Sequence, residues 1–366
     1  MNNNYVSNVP LGTGTNYILE GRVNNTFRAY FPVEMAGDFN WTISYINKVD
    51  STYSDGSTAF AGRSGGNFRI LSARIADGGA YGENIPEPAW TTLTFGGKPT
   101  LDVTPDSEIT SDPIRLEIKS GHSLAFEWTL DGENIPCTPD SQAYTFELHD
   151  GKFRSAGNCP LPSIIACDRP YKKRVAFLGD SITQGCGTSR GAAAMWAGRI
   201  AMMMPEYSVW NLGLGYARAS DCVASPSWIG KAKSNDIVIL TLGVNDFLHG
   251  AYKAGRPSTA GETLRWVESI IKELQAAGVN VILSVIPPFE YNPSQYAEWR
   301  AFELAVPSLA KLYGCRIYDI ESSLDATDDL GGKYIYGSHP NDEGGRVAAE
   351  KFRDTFYDKA KGEWTL

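Results

Sequence analysis

Long hydrophobic runs are missing from this chain. Nowhere in its 366 residues do about 18 apolar residues follow one another, the length a membrane-spanning helix needs. The opening MNNNYVSNVPLGTG lacks a basic start and an apolar stretch behind it, so no secretory signal is expected and a cytoplasmic location is. Clusters of Lys or Arg are absent too. With 33 basic against 42 acidic residues, the net charge is −9 and the pI about 5.1. That balance leaves no electrostatic footprint for nucleic acid and disfavours docking on anionic membranes. Histidine is scarce, at four residues. The six cysteines (Cys137, Cys159, Cys167, Cys186, Cys222 and Cys315) form no CxxC pair, so no zinc pattern exists. Six in a chain of this length are sparse for a disulfide framework, and free thiols in a reducing compartment are expected.

What is present is length, aromatics and two textures. The length suits two domains. Nine Trp and 18 Tyr fit either a β-rich core or stacking surface for sugars, and composition does not separate the two. From about residue 15 to 155, short alternating runs recur, such as Phe27-Arg28-Ala29-Tyr30-Phe31, Trp41-Thr42-Ile43-Ser44-Tyr45 and Leu124-Ala125-Phe126-Glu127-Trp128. Period-two alternation bounded by Gly, Pro and Asp predicts half-buried antiparallel strands. Many such strands without a helical pattern predict an all-β sandwich or jelly roll over residues 1–160. The stretch Cys159–Lys173 carries three prolines and little periodicity, and 161–172 reads as a linker.

From 173 to 366 the pattern changes to α/β. Apolar strands are expected at 174–178, 207–212, 236–242, 279–286 and 316–320. Helices are expected at 191–204, 262–277, 294–313 with a kink or break at Pro307, and 342–357. Apolar strands alternating with helices imply a parallel sheet covered on both faces.

Ligands of such sheets bind at the C-terminal ends of the strands, and three unusual sequences sit at such ends. Gly179-Asp180-Ser181-Ile182-Thr183 directly follows the first strand and places a serine at a strand-to-helix junction, where N–H groups are free to face an anion. Taken alone, Ser181 or Asp180 would more simply cap the helix. Gly243-Val244-Asn245-Asp246 follows the third strand. The Asn245 amide can donate to a developing oxyanion, or the segment is only a turn. Ser338-His339-Pro340-Asn341-Asp342 precedes the last helix and offers a base near neutral pH. Of the other histidines, His122 and His149 belong to the β-rich half, and His249 lies in the loop after Asn245.

GDSIT, then Asn211-Leu212-Gly213-Leu214-Gly215, then GVND, then HPND resemble the four motif blocks of the SGNH (GDSL-type) hydrolase superfamily in order and spacing, over about residues 173–366. The resemblance implies a flavodoxin-like three-layer α/β/α domain and ester hydrolysis with neither metal nor organic cofactor. It implies Ser181 as nucleophile and His339 as general base. It also implies an oxyanion hole from the Ser181 N–H, the Gly215 N–H and the Asn245 side chain. The register of the second block is loose by a residue, because Tyr216 stands where the family often has glycine.

One position departs from the family. The acid that usually sits three residues before the histidine is replaced by Tyr336. Three readings stay open: a Ser–His dyad held by a backbone carbonyl, another acid such as Asp342, Asp328 or Asp329, or an impaired enzyme. Losing an orienting acid costs on the order of 10⁴ in rate in the Ser-His-Asp example of a serine protease.

Leu93-Thr94-Phe95-Gly96-Gly97-Lys98-Pro99, with Ser111-Asp112-Pro113, resembles the β-sandwich that precedes the hydrolase domain of some bacterial GDSL-type esterases. Its role is either structural or that of a wall of the cleft. Gly62-Arg63-Ser64-Gly65-Gly66 lacks a strand–GxGxxG–helix context and is no phosphate loop. The hydrolase half has no long apolar lid, and Tyr216, Arg218, Trp228 and Phe247 are equally sugar-facing or packing residues. The expected substrate is an O-acetylated oligosaccharide, with no nucleic-acid or membrane partner. A homo-oligomer is compatible with the sequence. Competing expectations are a lysophospholipase or thioesterase using the same residues, and a non-catalytic carbohydrate-binding protein on a degenerate hydrolase fold.

Overall fold

The computed structural model describes residues 4–53, 60–80, 87–248, 256–324, 335–336 and 339–366. The first half is strand-rich. Tyr17–Pro32, His122–Pro139 and Phe68–Ala80 form the centre of one antiparallel sheet, flanked by Tyr144–His149 and Lys152–Ser155. A second sheet centres on Gly37–Ile46, paired with Ile164–Cys167 on one side and with Glu108–Thr110 and Ile114–Ile118 on the other. Alternation explains the register. Phe27, Ala29 and Phe31 lie opposite Trp128, Phe126 and Leu124 across the central pair, and all six are buried.

The segment 161–172 is no free linker. Ile164–Cys167 is a buried strand of the second sheet, and it also pairs with Val6–Ser7. Its four apolar residues hold too much buried surface to remain in solvent, and the prolines only bound the strand.

The second half is a mixed α/β unit on a five-stranded parallel sheet. Its strands are β1 (Arg174–Gly179), β2 (Ser208–Asn211), β3 (Ile237–Thr241), β4 (Asn280–Val285) and β5 (Arg316–Asp319), in the order β2-β1-β3-β4-β5. β2 and β3 are buried at every residue, as a sheet covered on both faces requires. The helices are α1 (Ser181–Gln184), α2 (Trp196–Met203), α3 (Ala219–Ala224), α4 (Pro226–Lys233), α5 (Ala260–Ala276), α6 (Pro293–Leu312) and α7 (Asp342–Phe356). α2 packs on α7, while α5 packs on α3, α4 and α6. Of the kink or break expected at Pro307, the break is not made, because α6 runs through it. The helix expected from 191 begins only at Trp196, since Ala193 takes a left-handed φ of 49°.

One apolar core runs through both halves. The Arg169 guanidinium and one buried ion pair tie them together. Arg169 bonds Glu34 of the first half and the carbonyls of Pro205 and Tyr207 of the second. Lys231 Nζ lies 2.6 Å from Asp50 Oδ2, with both side chains essentially without exposure. The geometry of the two halves is thereby fixed, which matters for what lines the site. All six cysteines are free. Among the described residues no helix is long and apolar enough to cross a membrane.

Candidate active site

β1 ends in Gly179 because only a hydrogen fits there. A Cβ would sit 2.2 Å from both Thr183 Oγ1 and Thr241 Oγ1. The next residue, Asp180, caps α1 by accepting the Ile182 N–H at 2.9 Å. The cap is therefore Asp180, which leaves the Ser181 hydroxyl uncommitted to the helix. Ser181 is buried, and its Oγ lies 2.8 Å from His339 Nε2. This is the reach a nucleophile–base pair needs.

His339 and Pro340 form a short strand whose backbone pairs with Ile335–Tyr336, residue 336 opposite 339. Asn341 then caps α7 through the Gly344 N–H. The Phe289 ring stands edge-on to the imidazole at 5.2 Å. Gly187, at a φ of 89°, comes so close that a Cβ would lie 2.9 Å from that of His339. Burial lowers the His339 pKa below the ordinary imidazole value, and the charge of Glu290 works against that fall. The ring is thus neutral and ready to accept a proton at pH 7.

Asp342 does not serve the histidine. Its two carboxylate oxygens accept the Ser189 N–H and hydroxyl at 2.7 and 2.6 Å. Among the described residues the only carboxylate whose charge reaches His339 is Glu290, through space. Asp328, Asp329, His249 and the side chain of Tyr336 lie outside the described residues.

Asn245 opens a short turn, Asn245–Phe247, just beyond β3. One amide hydrogen goes to the Ala217 carbonyl at 3.0 Å, which sets the plane of the group and leaves a second donor. Asp246 beside it points away, accepting the Ala219 N–H, and burial pushes its carboxyl up to about 6. Burial likewise pushes Asp180 up to about 7 against the Ile182 N–H, and the charge of Asp246 adds to the rise.

The β2–α3 loop approaches α1 closely. A Cβ on Gly213 would lie 2.3 Å from the Gln184 nitrogen. Asn211 holds the loop by donating to the Thr183 carbonyl and accepting the Gly213 N–H. Gly215 follows, its carbonyl bonded by Asn16 of the first half at 2.9 Å. Tyr216 sits at a left-handed φ of 61° with 40% of its surface exposed.

Ser181, Gly215, Asn245 and His339 line one cavity of about 400 Å³, together with Tyr216, Leu248 and Phe289. Three of the four residues expected to choose between sugar contact and packing have gone to packing. Trp228 is fully buried and donates to the Leu212 carbonyl. Phe247 is fully buried against Tyr291 and Phe302. Arg218 is buried and donates to the Leu248 carbonyl. Only Tyr216 reaches the cavity.

Sequence reasoning missed the residues that the first half brings to the same cavity, Tyr53, Asp140 and Gln142, and Arg190 of the second half beside Asp140. The one local sign was the run Thr138-Pro139-Asp140-Ser141, a turn sequence between two strands. Asp140 does take a left-handed φ of 53° there.

No curated protein matches the sequence. Several solved structures resemble part of it. A lipolytic protein of the G-D-S-L family from Veillonella parvula shares 19% identity at a TM-score of 0.43, covering 50% of this chain and 97% of its own. The acetyl xylan esterase AlAXEase shares 22% at 0.41, covering 50% and 98%. A catalytic mutant of Axe2, an acetylxylan esterase from Geobacillus stearothermophilus, shares 19% at 0.42, covering 51% and 94%. Residues 177–347, which hold every block of the Ser181 cavity in this half, match the GDSL-like lipase/acylhydrolase family.

Proposed function

We propose that the protein is a serine esterase that removes short acyl groups, acetyl foremost, from O-acetylated carbohydrates. The observation that carries this reading is the 2.8 Å contact between Ser181 Oγ and His339 Nε2 inside a cavity that Asn245 also lines. His339 takes the Ser181 proton as Oγ attacks the ester carbonyl. The oxyanion forms beside the free Asn245 hydrogen and the N–H groups of Ser181 and Gly215. The tetrahedral adduct collapses, the acyl–oxygen bond to the alcohol breaks, and His339 returns its proton to the leaving alkoxide. Water, deprotonated by His339, then attacks the acyl-enzyme, and Ser181 leaves with the proton while the carboxylic acid departs.

The histidine acts in a dyad. Asp342 is engaged by Ser189, and backbone pairing with residue 336 holds the His339 main chain in place. A short acyl group suits the cavity, because a long alkyl chain would strip water from Asp140, Gln142 and Arg190 in its wall without compensation. The strand-rich half acts as a jelly-roll-like wall of the cleft. The test is hydrolysis of p-nitrophenyl acetate, butyrate and octanoate by wild type and by Ser181→Ala. The reading expects acetate to be cleaved fastest and the variant to be inactive. Preference for octanoate would move the substrate to longer acyl esters, and equal rates in the two proteins would overturn the serine mechanism.

A further inference from the structure

The cavity is also lined by polar groups that acyl transfer does not use, and they come from both halves. Tyr53 comes from the first half, and its ring packs edge-on to Tyr216 at 4.9 Å. Its hydroxyl donates to Asp140 Oδ2 at 2.5 Å. The other Asp140 oxygen faces Arg190 of the second half at 3.9 Å. Gln142, only 5% exposed, donates to the Asp140 carbonyl, while its Oε1 finds no partner among the described residues. The Tyr53 ring also lies against the oxyanion loop, since a Cβ on Gly215 would come within 3.5 Å of it.

This chemistry selects its occupant. A buried amide oxygen without a donor is costly unless a ligand hydroxyl reaches it. An acetyl methyl offers no hydrogen bond, so these groups do not serve the acyl end. A phosphate is disfavoured, because Arg190, the one cation among the described lining residues, already faces the Asp140 carboxylate. A neutral ring bearing several hydroxyls satisfies both needs. Its hydroxyls bond the carboxylate, amide and guanidinium, and its C–H face lies on the tyrosine rings.

We infer that Tyr53, Asp140, Gln142 and Arg190 form the subsite for the alcohol part of the ester, that this part is a neutral sugar ring, and that Tyr53 is a specificity-determining residue supplied by the strand-rich half. The inference rests on the esterase reading above. It makes the first half part of the enzyme's substrate site, since the second half alone holds neither Tyr53 nor the carboxylate that accepts its hydrogen bond.

The experiment compares kcat/KM on an O-acetylated xylo-oligosaccharide with kcat/KM on p-nitrophenyl acetate, for wild type, Tyr53→Phe and Asp140→Asn. Melting curves accompany each variant. Tyr53→Phe keeps the ring and its packing and removes only the hydroxyl. The quantity read is the ratio of the two specificity constants. It should fall about tenfold in each variant, the size of one hydrogen bond to a charged or buried group, and the fall should lie mainly in KM for the sugar ester. An unchanged ratio in both variants, with aryl acetate still cleaved through Ser181, overturns this subsite and leaves the esterase reading intact. A wild type that cleaves neither ester overturns the esterase reading itself. A ratio that rises in the variants places the acyl group among these residues and also overturns the subsite.

Discussion

Removing the Asn245 side chain should slow the chemistry far more than it weakens substrate binding. The amide is buried, 6% exposed, and one of its hydrogens is spent on the Ala217 carbonyl at 3.0 Å. That bond fixes the direction of the remaining donor before any substrate arrives. A donor fixed in this way stabilises charge that exists only in the transition state. In Asn245→Ala the oxyanion loses that donor, and kcat should fall by about 10²–10³, equivalent to roughly 3–4 kcal/mol, with KM changed little. The same substitution leaves the Ala217 carbonyl without its partner, a cost of about 1–3 kcal/mol to the fold. A lower melting temperature should therefore accompany the loss. Asn245→Asp separates the two effects, since it keeps the shape but places an acceptor where the oxyanion forms. It should be at least as impaired as the alanine variant. The assay is steady-state hydrolysis of p-nitrophenyl acetate on protein shown to be folded by circular dichroism. If kcat of Asn245→Ala stays within about threefold of wild type, or if only KM rises, Asn245 is not an oxyanion donor and the reasoning fails.

Three further outcomes follow from the same geometry. The acidic limb of the kcat/KM profile should lie below the ordinary imidazole value. His339 must be neutral to act, burial lowers its pKa, and the charge of Glu290 opposes that lowering. Glu290→Gln should then move the limb to still lower pH, and a shift upward would refute the assignment. Asp342→Ala should cost some stability through the freed Ser189 and change the rate only modestly. A loss near 10⁴, with the pH profile displaced, would instead make Asp342 the orienting acid. Lys231→Met leaves Asp50 buried and unpaired between the halves, and urea unfolding should show a loss of about 3–5 kcal/mol.

The sequence made the second half legible for a physical reason. Buried parallel strands such as Ile237–Thr241 are continuous apolar runs, and the residues of interest sit at their C-terminal ends. Ser181, Asn245 and His339 could therefore be marked by local pattern, and the structure brings them to one cavity. Pattern failed where burial depends on the partner. Trp228 and Phe247 look like loop aromatics, yet each is covered by packing that no local window reveals. Pro307 does not break its helix: Pro costs one bond and a local clash, and α6, capped by Asn292 and packed on α5, bears that cost. The strand at 164–167 has the local pattern of a linker because its partners, Gly37–Ile46 and Val6–Ser7, lie more than a hundred residues away. Tyr53 and Asp140 were hidden as well, because they line the Ser181 cavity only through the polar contacts and shared core that hold the halves against each other.

The central claim is that Ser181 is an activated nucleophile. The most direct test is labelling with a serine-reactive phosphonate, followed by mass spectrometry of the intact protein and its peptides. The account predicts one adduct per chain, on the peptide containing Ser181, absent in Ser181→Ala and much slower to form in His339→Ala. No adduct on folded protein, or an adduct that persists in Ser181→Ala, would contradict it.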